Sequence, residues 1–299
     1  MPADNATNST TTPPRPHPGG LASLNGRPVA RIGYGAMQLE HGDDETARSV
    51  LRRAVELGVN HIDTAQFYAD GLVNERIRAA FPRYPEHLVL VSKIGATSDP
   101  AGRYGLRPAQ HPHEMRNEVE ANLRSLHLDR LDVVNFYPMA GVDGIPADQQ
   151  VAFDDQLAEL ITLRGTGKIG GFGLSHVDAE QLRHALPAGV ACVQNGYSLV
   201  DRSAEPVLQV CREHDIAWVP YFPLGSGTAD LPKVTAMPAV KKAAAHLKVT
   251  PAQVALAWLL SRSPQTLLIP GTRNLAHLEE NLAAAEVTLD HESLAFLTR

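Results

Sequence analysis

The chain has 299 residues, 43% apolar and 20% charged, with a formal charge of −6. That length suits one large α/β barrel or two ordinary domains, and the composition is that of a soluble globular protein. The charge gives no basic footprint for nucleic acid, and no apolar run approaches the length of a membrane span.

The first residues, "MPADNATNSTTTPPRPHPGG", lack the apolar core of a signal peptide. They read as a disordered tail over residues 1–20, ahead of one folded domain over 21–299. A cytoplasmic protein is expected, and the sequons at Asn5 and Asn8 are then without meaning. "ASLNGRPVARIGYGAM" predicts a hairpin around Asn25-Gly26 running into a strand. Ala47, Val50, Leu51, Ala54 and Val55 recur at helical spacing, with Gly58 where the helix ends. A strand "VNHIDTA", a helix over Asn74 to Ala80 and a strand "LVLVSKI" follow.

Met115, Val119, Leu123 and Leu126 make one helical face before the strand "LDVVNFY". Phe153, Leu157, Leu160 and Ile161 do the same before "KIGGFGLS". Helices starting near Asp178 and Ser203 precede the strands "VACVQN" and "IAWVPYF". Cys192 and Cys211 form no disulfide framework and no metal cluster, and read as small buried residues. Thr250, Pro251 and Gln253 supply an N-cap, a first-turn proline and a capping-box partner for a helix before "TLLIP". Asn274 opens a last predicted helix through Leu282.

Eight strands alternating with helices predict a parallel sheet closed into a (β/α)8 barrel behind an N-terminal hairpin. A doubly wound open sheet needs a phosphate-binding glycine fingerprint, and "GYGAMQ" lacks its third glycine. Chemistry in such barrels sits at the carboxyl ends of the strands. The polar residues at those ends are Asp63, Lys93, Tyr137, Ser175 with His176, Gln194, Tyr221 and Thr272. Lys93 ends a strand of valine and leucine, so its ammonium needs a counter-ion, which Asp63 supplies. A cation beside Tyr68 favours the phenolate and is expected to lower the phenol from its ordinary ~10, fitting it to protonate a carbonyl oxygen. Taken singly, the three also read as a solvated strand end, a turn cap and loop packing. The scattered histidines, His111 and His113 included, do not predict a metal site.

"HIDTAQFYADGLVNE", "LVLVSKIG", "GFGLSH", "CVQNGYSLVDR", "PYFPLGSG" and "IPGTRNLAHLEENL", in this order from about Arg31 to Asn281, resemble an aldo-keto reductase. "RIGYGAMQL" and "DVVNFY" are similar to a bacterial branch that includes pyridoxal reductases. The resemblance implies a (β/α)8 barrel that binds a nicotinamide cofactor without a Rossmann domain. It makes Tyr68 the general acid, Lys93 its pKa-lowering neighbour and Asp63 the partner of Lys93. It assigns the nicotinamide carboxamide to Ser175, His176 and Gln194, with His176 in place of the usual asparagine, and stacks Tyr221 on the ring. Leu224 and Gly225, in "PLGSG", approach the pyrophosphate. Gly271, Thr272, Arg273, His277, Glu280 and Asn281 form the adenosine-phosphate clamp. Gly271 stands where a lysine is common, and Arg273 is expected to meet a 2′-phosphate, which favours NADPH over NADH. Tyr137 stands where most members have a histidine that orients the substrate carbonyl; it either donates a hydrogen bond in its stead or packs.

The implied function is reduction of a small-molecule aldehyde or ketone by NADPH, with pyridoxal or a biosynthetic intermediate as substrate. The pocket walls are expected from Gln66, Phe67, the loop from Gly95 to His113, the loop after Tyr137, and Phe222. Two alternatives stay open: a tailoring dehydrogenase of a biosynthetic pathway, and a nucleotide-binding relative without turnover. Oligomeric state is not readable from the pattern.

Overall fold

The computed structural model describes residues 17–102, 105–139, 144–225 and 232–297. Most of the expected N-terminal tail lies outside these residues. Its last four form a turn, with Gly20 N donating to His17 O and Arg31 N to Gly20 O. Strands β1 (Leu21–Leu24) and β2 (Arg27–Ala30) pair antiparallel. Asn25 and Gly26 have φ of 51° and 76°, the left-handed pair that a tight two-residue hairpin requires.

The barrel then runs β3 (Tyr34–Gly35), α1 (Asp44–Glu56), β4 (His61–Asp63), α2 (Leu72–Ala80) and β5 (Val89–Ile94). A small antiparallel hairpin of β6 (Ala96–Ser98) and β7 (Leu106–Pro108) follows, then α3 (Pro112–Leu126), β8 (Leu131–Phe136) and α4 (Phe153–Gly165). The second half is β9 (Ile169–Ser175), α5 (Ala179–Ala185), β10 (Cys192–Gln194), α6 (Glu205–Glu213) and β11 (Ala217–Trp218). Helices α7 (Pro238–Leu247), α8 (Pro251–Arg262), α9 (Leu275–Ala283) and α10 (His291–Leu297) complete it. None of these helices is long and apolar enough to cross a membrane.

The seven strands β3, β4, β5, β8, β9, β10 and β11 are parallel neighbours in that order. The segment from Thr266 to Leu268 closes the ring as the eighth: Leu267 N donates to Trp218 O at 2.8 Å, and Gly33 N to Leu268 O at 2.7 Å. Alternation sorts the strand residues. Val89, Val91, Val133, Cys192, Ala217 and Leu267 share one core with Leu24 and Val29 of the hairpin. Leu90, Ile94, Val134, Phe136, Phe172 and Leu174 pack in the other core, with the helices.

The capping box read at Thr250 forms, and Asp178, where a helix start was expected, makes a second one. Thr250 and Gln253 make a reciprocal box at α8, and Asp178 with Gln181 make one at α5. Three expectations need correction. The stretch from Gly95 to His113 carries the β6–β7 hairpin and is not a bare loop. Helix α9 is not the last, because α10 follows and packs on α7, itself unanticipated. Ile161 is 43% exposed, and the inner face of α4 is instead Gln156, Leu157, Glu159, Leu160 and Leu163.

Candidate active site

Asp63, at the end of β4, is almost fully buried, and both its carboxylate oxygens are engaged. Oδ1 accepts from Lys93 Nζ at the end of β5, and Oδ2 accepts from Gln194 Nε2 at the end of β10, 2.9 Å away. Lys93 Nζ also donates to Thr64 O at 3.0 Å and lies 4.9 Å from the centre of the Tyr68 ring. Burial works to lower the Lys93 ammonium, but Asp63 and Tyr68 outweigh it, and the group is pushed up. It remains a cation throughout the neutral range. For Tyr68 the expected net direction is reversed. Burial pushes the phenol above its ordinary value, and Lys93 opposes this without cancelling it. A sequence shows the neighbouring cation but not how far the half-buried phenol is desolvated.

Beyond Tyr68 the chain reverses through three left-handed residues, Ala69, Asp70 and Gly71, with φ of 47°, 53° and 93°. Such conformations cost about 1–3 kcal/mol for residues other than glycine and persist only where the surroundings over-determine them. Here a network of buried amides and hydroxyls does so. Thr64 Oγ1 donates to Asn74 Oδ1 at 2.8 Å, and Asn74 Nδ2 donates to Gln66 Oε1 at 3.0 Å. Ser125 Oγ also donates to Gln66 Oε1, and Ser92 Oγ to Asn122 Oδ1. The Gln66 amide occupies the space a Gly71 Cβ would need. This network was not legible beforehand, since its members stand on four different elements.

Around the rest of the mouth, Ser175 Oγ donates to Gln194 O at 2.9 Å. His176 has φ of 58°, and its Nδ1 lies 2.7 Å from Tyr221 Oη. Burial lowers the His176 imidazole and pushes the Tyr221 phenol up to about 12. Between a neutral imidazole and a protonated phenol, either the phenol donates to Nδ1 or an Nδ1–H donates to the phenol oxygen, according to the tautomer. The Tyr221 ring rests over Gly196, and Tyr137 places its ring 5.1 Å from that of His176. His176, Tyr221, Phe222 and Gly225 border a cleft of about 480 Å³, within the range of small-molecule sites. Leu224 O accepts from Val234 N, and Gly225 has φ of 85°. Ser226 and Gly227 of the expected pyrophosphate loop lie outside the described residues.

The clamp residues are spread over the end of the barrel-closing segment and α9. Thr272 O accepts from Tyr34 Oη at 2.7 Å, and the exposed Arg273 guanidinium lies against Gly42. His277 is exposed and Asn281 buried, one turn apart on α9. Glu280 Oε1 accepts from Thr250 Oγ1 at 2.6 Å, tying α9 to the start of α8. Gly271 has a packing reason, since a Cβ there would lie under 3.0 Å from Gly35 O.

The fit to a nicotinamide is tested by one atom. Gln194 must turn its amide nitrogen to the Asp63 carboxylate, which can only accept. Its Oε1 is therefore left buried and without a partner. A buried unpaired acceptor costs roughly 1–3 kcal/mol, and an N–H donor such as a carboxamide removes that cost. The residues present fit the group.

A profile described as the Aldo/keto reductase family matches residues 31–299. The chain is 41% identical to pyridoxine 4-dehydrogenase of Escherichia coli over 283 residues, which span 92% of this chain and 96% of that protein. It is 33% identical to an uncharacterized oxidoreductase of Schizosaccharomyces pombe, over 93% of this chain and 89% of that one. Among solved structures, an aldo-keto reductase from Klebsiella pneumoniae in complex with NADPH superposes with a TM-score of 0.77 at 26% identity, covering 94% of each chain. A strand-end ring of Asp63, Lys93 and Gln194 under Tyr68, in a chain matched over almost its whole folded length, leaves one assignment: the chain belongs to the aldo/keto reductase family and is an NAD(P)H-dependent oxidoreductase.

Proposed function

We propose that the protein is an NADPH-dependent carbonyl reductase with Tyr68 as its general acid. The observation that carries this reading is the Lys93 ammonium, ion-paired to buried Asp63 and set 4.9 Å from the centre of the Tyr68 ring. Burial keeps the phenol protonated at neutral pH, so the proton is present when a carbonyl arrives. When it leaves for the substrate oxygen, the phenolate forms beside a fixed cation, which stabilises the transition state more than the ground state. The nicotinamide, when bound, supplies a hydride to the carbonyl carbon, and the Tyr68 proton completes the alcohol.

Gln194 Oε1, Ser175 and His176 would hold the carboxamide, with Tyr221 as the platform for the ring. Tyr137, at the end of β8 beside His176, would donate to the substrate oxygen. Leu224 and Gly225 would approach the pyrophosphate, and Gly271, Thr272, Arg273, His277, Glu280 and Asn281 the adenosine phosphate. Arg273 favours NADPH over NADH, because its exposed guanidinium matches a 2′-phosphate. The NADPH held by the Klebsiella relative supports the same choice. The name of the Escherichia coli relative gives pyridoxine, the alcohol that reduction of pyridoxal yields, and this supports pyridoxal as the carbonyl substrate. On this proposal residues 21–299 are the catalytic domain of a cytoplasmic protein.

The test is Tyr68→Phe. Turnover of pyridoxal with NADPH should fall on the order of 100-fold or more, while NADPH affinity by fluorescence titration stays within about twofold. A variant that keeps most of its turnover removes Tyr68 from the role.

A further inference from the structure

Gln110 lies outside the catalytic ring, just ahead of α3, and is fully buried. Its side chain makes all four hydrogen bonds that an amide offers. Nε2 donates to Gly95 O at 2.6 Å and to Tyr137 O at 3.0 Å. Oε1 accepts from Met139 N at 2.9 Å and from Gln156 Nε2 at 3.0 Å. Its backbone is equally engaged, with N donating to Gln149 Oε1 at 2.9 Å and O accepting from Gln156 Nε2 at 3.2 Å.

These partners belong to separate elements of the barrel mouth. Gly95 follows Lys93 by two residues and is the entry of the β6–β7 hairpin. Ala109 N donates back to Gly95 O, so that hairpin leaves and returns at the same point. Tyr137 and Met139 begin the loop after β8, and Gln156 stands on α4. Gly95 N is held from the other side by Glu118 Oε2 at 2.7 Å. The Tyr137 peptide is held at both ends, N donating to Ile94 O and O accepting from Gln110.

Resting on the carbonyl-reductase reading, we infer that Gln110 is a positioning residue for the substrate. It clamps the β6–β7 hairpin to the Tyr137 segment and fixes where these two walls stand relative to Tyr68. A fully satisfied buried amide is rigid, and exchanging it for an apolar side chain removes its bonds to Gly95 O, Tyr137 O, Met139 N and Gln156 Nε2 at once. The catalytic ring of Asp63, Lys93 and Gln194 makes no hydrogen bond to Gln110. The clamp therefore acts on carbonyl placement and not on cofactor binding.

The test compares wild type with Gln110→Met, using NADPH with pyridoxal and with the smaller methylglyoxal. Misplacing a substrate by about 1 Å costs up to about 100-fold. The expected result is a loss of 10-fold or more in kcat/KM for pyridoxal, carried by a raised KM, and a smaller loss for methylglyoxal. NADPH Kd should change less than twofold. Gln110→Glu keeps the shape and both acceptors but regains a donor only when protonated. It should therefore fall between the two, with activity relative to wild type declining as pH rises, and it carries the test if the methionine variant does not fold. Amide hydrogen exchange adds a readout independent of turnover. In the glutamate variant it should rise across residues 95–110 and 137–139 and stay unchanged across β9 and β10. Unchanged kcat/KM for pyridoxal, or an equal loss in NADPH affinity, overturns the inference. If wild type reduces neither carbonyl, the carbonyl-reductase reading fails by itself. The exchange pattern then decides the clamp separately: unaltered exchange at 137–139 disproves it, and raised exchange retains it.

Discussion

Gly271 stands where a lysine would offer a charge to the cofactor phosphate, and restoring that lysine looks like an improvement. The packing at the barrel seam predicts the opposite. A Cβ at Gly271 would lie under 3.0 Å from Gly35 O, and a Cβ at Gly35 would strike Ile269 O just as closely. Both obstacles are backbone, in the two segments joined by the 2.7 Å bond from Gly33 N to Leu268 O. No rotamer change relieves such a contact, since carbon and oxygen meet at about 3.3 Å or more. The seam itself has to open. Overpacking in a closed core costs about 1–3 kcal/mol, and a clash against backbone belongs at the upper end. For a chain of this size that is a fall of roughly 6–10 °C in Tm.

Gly271→Lys and Gly271→Ala share the Cβ and differ in the charge. Thermal unfolding by circular dichroism should therefore show similar losses for both, and fluorescence titration should show no tighter NADPH binding for the lysine variant. A lysine variant that melts within about 1 °C of wild type and binds NADPH more tightly would refute the steric account.

Arg273→Ala should weaken NADPH by about 1.5–3 kcal/mol and NADH hardly at all, because only NADPH carries the 2′-phosphate; equal losses in a titration of both cofactors exclude that contact. Glu118→Gln tests the buried carboxyl under Gly95, which burial pushes up to about 8. An acid whose folded pKa lies above its unfolded one costs stability as pH rises between the two values, so wild type should lose ground to the variant by roughly 1 kcal/mol per pH unit from about pH 5 to 8. Urea melts at pH 5 and pH 8.5 that show the same difference between the two proteins would contradict this.

What the sequence made legible was set by short-range chemistry. Asn25-Gly26, the Thr250 capping box, the helix start near Asp178 and the apolar run of β5 each depend on residues within one or two turns. The ring of Asp63, Lys93 and Gln194 was legible because a parallel barrel delivers every strand end to one rim. What escaped depends on partners far along the chain. The bond from Thr250 to the Glu280 carboxylate, thirty residues along the chain, is one such contact. Gln110 reads as a polar loop residue until five neighbours from four separate segments close over it. The direction of the Tyr68 shift failed for the same reason, because a motif names the cation beside the ring but not how far the phenol is desolvated.

The two departures from the resemblance at the mouth, Tyr137 and His176, are better understood as one. The usual pair there is a histidine after β8 and an asparagine after β9. In this chain the imidazole stands one strand over, and the phenol faces it at 5.1 Å between ring centres. His176 can occupy a left-handed position in place of the smaller asparagine because its Nδ1 is held by Tyr221 and its backbone N donates to Gln194 O at 3.1 Å. Tyr137 can replace the histidine because Gln110 and Ile94 fix its peptide from both sides. Each substitution thus has its own anchor, and the two rings face each other across the mouth. Replacing one alone by the residue usual in the family would set a smaller side chain against the ring that faces it. On the proposed reading, the pair together with Gln110 would set which carbonyl reaches Tyr68.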